Sequence, residues 1–285
     1  MIDPADVEDD KGRAALSRYA LERVTSVGAE FEAAYGALET EFASRGELER
    51  REVIAGWLSP DEQRAVDGLE HRYHLLAARS PDGELAGARD CHTVVDRSQA
   101  ICVVYLAHVW VAPEHRRQGL ASLLRAAPIT LGKGTGAAEV LLAAEMEPAV
   151  RDASDTLVRL VAYGRGGFRV VTPAALPYCQ PDFRDPAAID EPHPLPLLAV
   201  VRRLGKDEAF LPHRLASAYL RHLYAVFSTH CREEHLARPR AHALERLAAW
   251  QGDVPLLPLP ASIDDEAALS PLWRDVVLPH HLPEL

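Results

Sequence analysis

The sequence predicts a mixed α/β fold, in which a central sheet of apolar strands is flanked by helices and further helices are added at both ends. Strand-like and helix-like segments alternate in the middle third of the chain, which is the pattern of an α/β core. On either side, residues 11–70 and 208–250 carry apolar residues at helical spacing. With 285 residues, 48% of them hydrophobic, the chain has enough apolar material for such a core.

The first core elements follow one another from residue 73. Residues 73–78 and 85–95 are predicted to be the two arms of a β-hairpin, because Pro81-Asp82-Gly83 between them is a strong turn signal. Residues 100–111 form a long apolar strand. A helix then starts at Gly119, and we expect Pro128 to end or kink it.

The later core elements are shorter. The pattern predicts a buried strand, a helix, a turn followed by a strand, and a last strand, over residues 139–144, 154–163, 166–171 and 197–201. We therefore divide the chain into a helical N-terminal extension (1–69), a core (70–204) and a helical C-terminal extension with a proline-rich tail that we expect to be irregular (205–285). Within the second helical region, we expect a break at Pro239.

Composition narrows the class of protein. There are 31 Lys and Arg residues against 42 Asp and Glu, a net charge of −11, so nonspecific nucleic-acid binding is not expected. No apolar run reaches the roughly 20 residues that span a bilayer, and the acidic N-terminus does not resemble a secretory or transit peptide. Four cysteines lie scattered without paired spacing, which favours a reducing, cytoplasmic location.

The most informative stretch joins the long apolar strand to the helix at Gly119. It contains His115, Arg116 and Arg117 before the glycine. A glycine lets an anion approach the backbone closely, and the first amides of a helix attract negative charge. The arginines can add charge-assisted hydrogen bonds. The pattern indicates a phosphate-binding loop; a solvated strand-to-helix turn is the alternative.

The spacing of this loop also resembles a known motif. Arg116-x-x-Gly119-x-Ala121, just after a strand ending in Val-x-Pro, is similar to the pyrophosphate loop of the GNAT superfamily of acyl-CoA-dependent N-acyltransferases. Residues 163–168, Tyr-Gly-Arg-Gly-Gly-Phe, are similar to a second signature of that superfamily, with Ala162 in place of its leucine. The resemblance covers residues 70–204 and implies a GNAT-like central twisted mixed sheet flanked by helices.

The resemblance implies roles for individual residues. It implies that Arg116, Arg117 and the backbone amides of residues 118–122 hold the pyrophosphate, these residues being Gln118, Gly119, Leu120, Ala121 and Ser122. It implies that backbone groups of Val109 and Val111 pair with the pantetheine arm like an added strand. It also implies that Tyr163 protonates the departing thiolate, the alternative being a tyrosine that only packs under the sheet.

The residue that accepts the amine proton is harder to assign. Tyr105 occupies the position where several GNAT relatives carry a glutamate or histidine base, and Ala107 follows on the same face. Strand alternation places His108 on the opposite face from Tyr105, which favours a structural histidine there. Asp90 and His92, on the preceding strand, are weaker candidates. So are Glu145 and Glu147, which otherwise only mark the exit of a strand.

Other motifs do not support a different class of enzyme. Residues 131–135 lack the upstream glycine of a nucleotide-triphosphate loop, residues 230–235 match no zinc-protease motif, and no Gly-x-Ser-x-Gly elbow is present. We expect no metal cofactor. The amphipathic segment 210–223 either packs inside the protein or forms a homodimer surface or a cover over an acyl chain.

Two functions are consistent with this sequence. The first is transfer of an acyl group from an acyl-CoA, acetyl-CoA by default, to an amine on a small molecule or a peptide. The second is an acyl-CoA-binding sensor or interaction module without turnover. A variant of the first function keeps the transferase chemistry but uses a longer acyl chain delivered by a carrier protein. Neither nucleic acid nor a membrane is expected as a partner.

Overall fold

A computed structural model describes residues 2–43, 46–58, 64–151, 153–184, 187, 189 and 191–281 of the chain. They fall into two compact units. The first is Met1–Val140 with Phe183–Ile189, and the second is Leu141–Asp182 with Asp190–Leu285. The division at residues 70 and 205 that the sequence suggested rests on motifs rather than on contacts and stays a prediction.

The first unit contains the strands and helices up to the end of the helix that begins after Gly119. These are α1 (Asp10–Ala15), β1 (Ala20–Val24), α2 (Ala29–Phe42), α3 (Arg51–Trp57), β2 (Arg64–Val66), β3 (Leu69–Arg79), β4 (Leu85–Asp96), β5 (Ile101–Tyr105), β6 (Val109–Val111) and α4 (Leu120–Lys133).

The sheet of this unit is built on the predicted hairpin. Strands β3 and β4 pair antiparallel from Glu70–Val95 to Arg79–Leu85, which confirms the hairpin around Gly83. Strand β1 pairs with the free edge of β3, and β5 and β6 both pair with β4. Helices α2 and α4 both pack on this sheet. A cluster of buried apolar side chains fills the space between the strands and two of the helices; its members come from α2, α3, β1, β3 and β4.

Helix α4 continues through Pro128 to Lys133, so it does not end at that proline, and a kink there stays a prediction. A proline removes one backbone donor and crowds the preceding turn, which costs about 3 kcal/mol in an isolated helix. Here Leu123, Leu124, Ile129 and Gly132 are all buried, and tertiary packing of that apolar face holds the helix together. Gly132 lies so close to β5 that a Cβ atom there would come within 2.7 Å of Val104.

The second unit has a sheet and a helical layer of its own. Its elements are β7 (Glu139–Met146, starting two residues before the boundary), α5 (Ser154–Arg165), β8 (Arg169–Val171), β9 (Tyr178–Gln180), β10 (Leu195–Arg203), β11 (Phe210–Leu211), α6 (His213–Phe227), α7 (Glu233–Ala249), β12 (Val254–Pro258), α8 (Glu266–Leu269) and α9 (Arg274–Val277). Strand β10 pairs antiparallel with β7, β8 and β9. Strand β12 pairs antiparallel with both β8 and β11.

The helical regions differ from the prediction in several places, and the short strands β2 and β11 also lie within them. Residues 20–24 form the edge strand β1 rather than a helix, because their backbone completes the sheet beside β3. The break in the C-terminal helical region falls between α6 and α7 at residues 228–232, and α7 passes through Pro239. The proline-rich tail is partly regular, because residues 254–258 pair with β8 as β12.

The apolar stripe of α6 is packed inside the second unit. Leu215, Tyr219 and Leu223 are fully buried there. The packing interpretation of this helix is therefore confirmed. A homodimer stays a prediction, but the buried stripe of α6 is not its surface. The predicted mixed α/β class with flanking helices is also confirmed. Within the described part of the chain, no helix combines the length and apolarity needed to cross a membrane.

Candidate functional site

The predicted phosphate loop lies between β6 and α4. A 3-10 turn over Pro113–His115 follows β6, and Gly119 is the N-cap residue of α4. Arg117 and Gly119 have φ angles of +62° and +86°, so two left-handed positions turn the chain into the helix. Such a conformation suits glycine best, which explains Gly119 by local geometry as well as by any bound anion.

The polar side chains of the loop are largely engaged within the first unit. The Nε atom of Arg116 donates to the carbonyl oxygen of Val111 at 3.1 Å, and both Arg116 and Arg117 are exposed. The side chain of Gln118 donates to the carbonyl oxygen of Glu114 at 2.8 Å and accepts from Arg18 at 3.0 Å. The loop is thus a formed structure with positive charge on its surface.

Residues from the start of the chain lie directly against Gly119. A Cβ atom on Gly119 would come within 2.1 Å of the carbonyl oxygen of Lys11 and 2.6 Å of the amide nitrogen of Gly12. The hydroxyl of Ser122, in the first turn of α4, donates to the carboxylate of Asp9 at 2.7 Å. The sequence prediction did not include this contact.

The two valines predicted to pair with pantetheine lie on the short strand β6. Val109 is opposite Arg89 and Val111 is opposite Gly87 on β4, and both valines are half-buried. These contacts fix the strand in place, and the pairing of the two valines with pantetheine stays a prediction.

A β-bulge separates β5 from β6. His92 is opposite Tyr105 and Arg89 is opposite Val109, so two residues of β4 face three residues, Leu106 to His108, on the other strand. One extra residue shifts the alternation of side chains by one position. The strict alternation assumed in the sequence analysis therefore does not hold between Tyr105 and Val109.

The bulge is held by Asp90. Its carboxylate accepts from the backbone amide of His108 at 2.7 Å and from the imidazole Nδ1 of His108 at 3.2 Å, and Tyr73 donates to its other oxygen at 3.2 Å. The backbone amide of Asp90 donates to the carbonyl oxygen of His108. Asp90 is fully buried, so these bonds replace the water that the carboxylate would have in the unfolded chain.

His108 is held as an imidazolium by its surroundings. Its Nδ1 atom faces the Asp90 carboxylate and its Nε2 atom faces the carbonyl oxygen of Glu47 at 2.8 Å, and neither acceptor can donate a hydrogen. Both ring nitrogens must then carry a proton. Burial lowers the pKa of His108, but the carboxylates of Asp90 and Glu49 and the two acceptors outweigh it and raise the pKa to about 9.

Glu49, Asp90 and His108 form the one group of possible metal ligands found among the described residues, with ligand atoms within 4.8 Å of one another. Both ring nitrogens of His108 are already used in hydrogen bonds. A metal ligand needs a deprotonated ring nitrogen. The cluster therefore fits a buried ion pair better than a metal site.

Tyr105 belongs to a buried aromatic cluster in the first unit. It is 2% exposed, and its ring stacks on that of His92 at 5.6 Å between ring centres. His92 Nδ1 lies 2.8 Å from His71 Nε2, and Trp57 packs edge-on against both histidines. A catalytic role for Tyr105 stays a prediction.

Tyr163 lies on α5 in the second unit. It is 7% exposed and packs edge-to-face on Phe168, whose amide donates to the carbonyl oxygen of Tyr163 at 3.1 Å. The Gly-Phe turn thus closes on the tyrosine that precedes it. The two glutamates of β7 have partners in the same unit, because Tyr178 donates to Glu145 and Arg159 pairs with Glu147.

The comparisons bear on the first part of the chain. Residues 37–154 match the model of the acetyltransferase (GNAT) family. This match covers less than half of the chain, so it shows a likeness of this segment to that family. This segment runs from α2 to the start of α5, and it includes the bulge and the whole glycine loop; Tyr163 lies beyond it. Curated protein sequences give no match.

Solved structures similar to the chain include several acyltransferases. A putative acyl-CoA N-acyltransferase from Klebsiella pneumoniae is 19% identical over 65% of this chain and 97% of its own, with a TM-score of 0.37. Arabidopsis thaliana Naa50, solved with a bisubstrate analogue, is 14% identical over 65% and 98%, with a TM-score of 0.41. A fungal multi-domain GH3 beta-N-acetylglucosaminidase with a GCN5-related glucosamine N-acetyltransferase region is 15% identical, with a TM-score of 0.38. In that case the match covers 53% of this chain and spans 17% of the other.

Two residues of this region were missed or undervalued in the sequence analysis. Asp90 was only a weak candidate, because nothing in an apolar strand pattern shows that its carboxylate fixes a bulge. Asp9 was not a candidate at all, because it is 113 residues away from Ser122 in the chain. The only available signal was the run of acidic residues at the N-terminus.

Proposed function

We propose that this protein is an acyl-CoA-dependent N-acyltransferase that moves an acyl group, acetyl by default, to an amine on a small molecule or a peptide. The observation that carries the proposal is the GNAT match over residues 37–154. It includes the strand, the glycine loop and the helix whose order and spacing suit a diphosphate. The left-handed Gly119 at the N-terminus of α4 supports the same conclusion.

The donor would be held by the loop and by β6. The amides of residues 118–122 would bind the pyrophosphate, with Arg116 and Arg117 supplying positive charge. The backbone of Val109 and Val111 would orient the pantetheine arm, so that the thioester is presented in one position to the amine.

The reaction would be a direct transfer. The amine nitrogen, which gives up one proton to water, attacks the thioester carbonyl carbon and forms the carbon–nitrogen bond. The tetrahedral intermediate then collapses, and the carbon–sulfur bond breaks. We propose Tyr163 as the phenol that donates a proton to the departing thiolate, because it stands in the second GNAT-like signature. We propose Tyr105 as the second catalytic residue, at the strand position that faces the acceptor. No step requires a metal ion.

The test is release of CoA from acyl-CoAs of increasing length, acetyl to palmitoyl, with mixed amines. Tyr163→Phe should lower turnover by about 100-fold while CoA binding is retained. Tyr224→Phe is the matched control, because that buried hydroxyl in the same unit donates to the carbonyl oxygen of Cys179. Equal activity of the wild type and Tyr163→Phe would remove the tyrosine from the mechanism. If CoA and acyl-CoAs bind neither the wild type nor a variant in which residues 4–15 are loosened from Gly119, the donor proposal is wrong.

A second candidate function is supported by one observation. The buried carboxylate next to the bulge, Asp90, is saturated by His108 and Tyr73, and Tyr105 and Ala107 supply no carboxylate. A GNAT-like segment that binds acyl-CoA without turning it over would tolerate this arrangement. Tight CoA binding without consumption of any acyl-CoA would favour this sensor or interaction module.

A further inference from the structure

The start of the chain covers the glycine loop. We define the N-terminal arm as residues 4–15, which comprise a 3-10 turn and α1. Its backbone at Lys11 and Gly12 lies so close to Gly119 that even one added carbon atom would overlap it. The arm therefore fills the space beside Gly119 in which the proposed function places the pyrophosphate of the donor.

Three acidic residues attach the arm to α4. Glu8 forms an ion pair with Arg125 at 2.8 Å, in which both side chains are less than a tenth exposed. Asp6 pairs with Lys133 at 2.8 Å, and Asp9 accepts from Ser122 at 2.7 Å. The arm thus presents carboxylates along the helix that the proposed function assigns to an anionic donor.

The position of Asp9 corresponds chemically to that of a phosphate oxygen. Its carboxylate lies near the N-terminus of α4, where the helix dipole favours negative charge. Burial raises its pKa, but hydrogen bonds from Ser122 and Gly12 and the charge of Arg125 outweigh this and lower the pKa. Asp9 is therefore ionised at neutral pH, and it bonds a residue that the resemblance assigns to the pyrophosphate.

We propose that the N-terminal arm is an intramolecular competitor of the acyl-CoA diphosphate, which must leave the loop before the donor binds. The proposal rests on the proposed function, since it regulates the same site. A closed arm lowers the apparent affinity for CoA by the fraction of molecules that are open. The six-residue α1 is too short to be stable without the helix it packs on, so release of the arm also unfolds α1.

The arm can be loosened without changing the loop. A Cβ atom on Gly12 would lie 2.8 Å from the Cβ of Ser122 and 2.6 Å from Val7, so Gly12→Ala pushes the arm away from α4. Glu8→Gln weakens its ion pair with Arg125 by a different route. Gly36→Ala is the matched control, because a Cβ atom on that glycine of α2 meets nothing within 4 Å.

Two measurements test the proposal on the full-length protein. In calorimetric titrations with CoA, Gly12→Ala and Glu8→Gln should bind about 5- to 50-fold more tightly than the wild type, and Gly36→Ala should bind like the wild type. In hydrogen–deuterium exchange, the amides of residues 8–15 should exchange faster when CoA is added to the wild type.

The outcomes separate the two proposals. If CoA binds the wild type while the arm stays protected and the variants gain no affinity, the arm is a structural element and this inference is wrong, whereas the proposed function stands. If exchange shows an open arm in Gly12→Ala and CoA still does not bind, the loop is no donor site. The proposed function and the inference that rests on it then both fail.

Discussion

The carboxylate of Asp90 and the imidazolium of His108 form a buried ion pair that also fixes the backbone of a β-bulge. Asp90 accepts from both the amide and the ring of His108, and its own amide donates back to the carbonyl oxygen of that residue. One side chain therefore sets the course of the chain between Tyr105 and Val109, just before the strand and loop assigned to the donor.

This pair makes stability depend on pH. The pKa of His108 rises from an ordinary value of about 6.5 to about 9 in the folded protein. A raised pKa means that the folded state binds the proton more tightly than the unfolded state. The stabilisation is therefore complete below pH 6.5 and is lost as the pH rises through 9. Its full size is on the order of 3 kcal/mol.

Urea unfolding of the wild type and His108→Gln between pH 6 and pH 10 measures this effect. The wild type should be more stable than the variant at pH 6, and the difference in free energy of unfolding should shrink toward pH 10. Lysines, and tyrosines that do not contact Asp90, contribute equally to both proteins and cancel in the difference. A constant difference across this range would show that His108 is neutral in the folded protein.

Gly119→Ala should disturb both the backbone turn that leads into α4 and the N-terminal arm that lies against it. The substitution places a methyl group 2.1 Å from the carbonyl oxygen of Lys11, at a backbone φ of +86° that alanine adopts with strain. We expect the N-terminal arm to detach and the free energy of unfolding to fall by about 1–3 kcal/mol, with a lower thermal midpoint. Hydrogen exchange of residues 8–15 reports the detachment. Unchanged protection of the arm would mean that it does not lie against Gly119.

Gly132→Ala should be destabilising although alanine favours helices. The gain in helix propensity is about 1 kcal/mol, but the added carbon would lie 2.7 Å from Val104 and 2.8 Å from Val140. Overpacking of this kind costs about 1–3 kcal/mol. Gly36→Ala, in open space on α2, should be neutral or stabilising. Denaturant unfolding of both variants checks the signs, and a stabilised Gly132→Ala would show that α4 is not seated on β5.

Much of the framework was predictable from local patterns. The turn signal at Gly83 marked the β3–β4 hairpin, the apolar pattern of residues 154–163 marked α5, and the basic loop ending at Gly119 marked the N-terminus of α4. These features depend on residues that are close in sequence, so periodicity and turn chemistry are sufficient to find them.

The remaining features depend on contacts between distant residues. The bulge after Tyr105 adds one residue to a run that is apolar except for His108. Such a run has no alternating pattern from which a shift of one residue could be detected. Helix α4 passes through Pro128 because its apolar face is buried, which overrides local propensity. The contact of Asp9 with Ser122 joins two ends of the first unit, so the sequence showed an anion loop but not the acidic arm that covers it.

The most direct test of the central claim is to look for the acylated amine itself. Purified wild type and Gly12→Ala are incubated with acetyl-CoA and a panel of small-molecule and peptide amines, and products are detected by mass spectrometry together with free CoA. We expect N-acetylated amine and equimolar CoA from both proteins, with faster product formation by Gly12→Ala when acetyl-CoA is below saturation. Binding of acetyl-CoA by Gly12→Ala without acetylation of any amine in the panel would contradict the transferase assignment and favour a binding module.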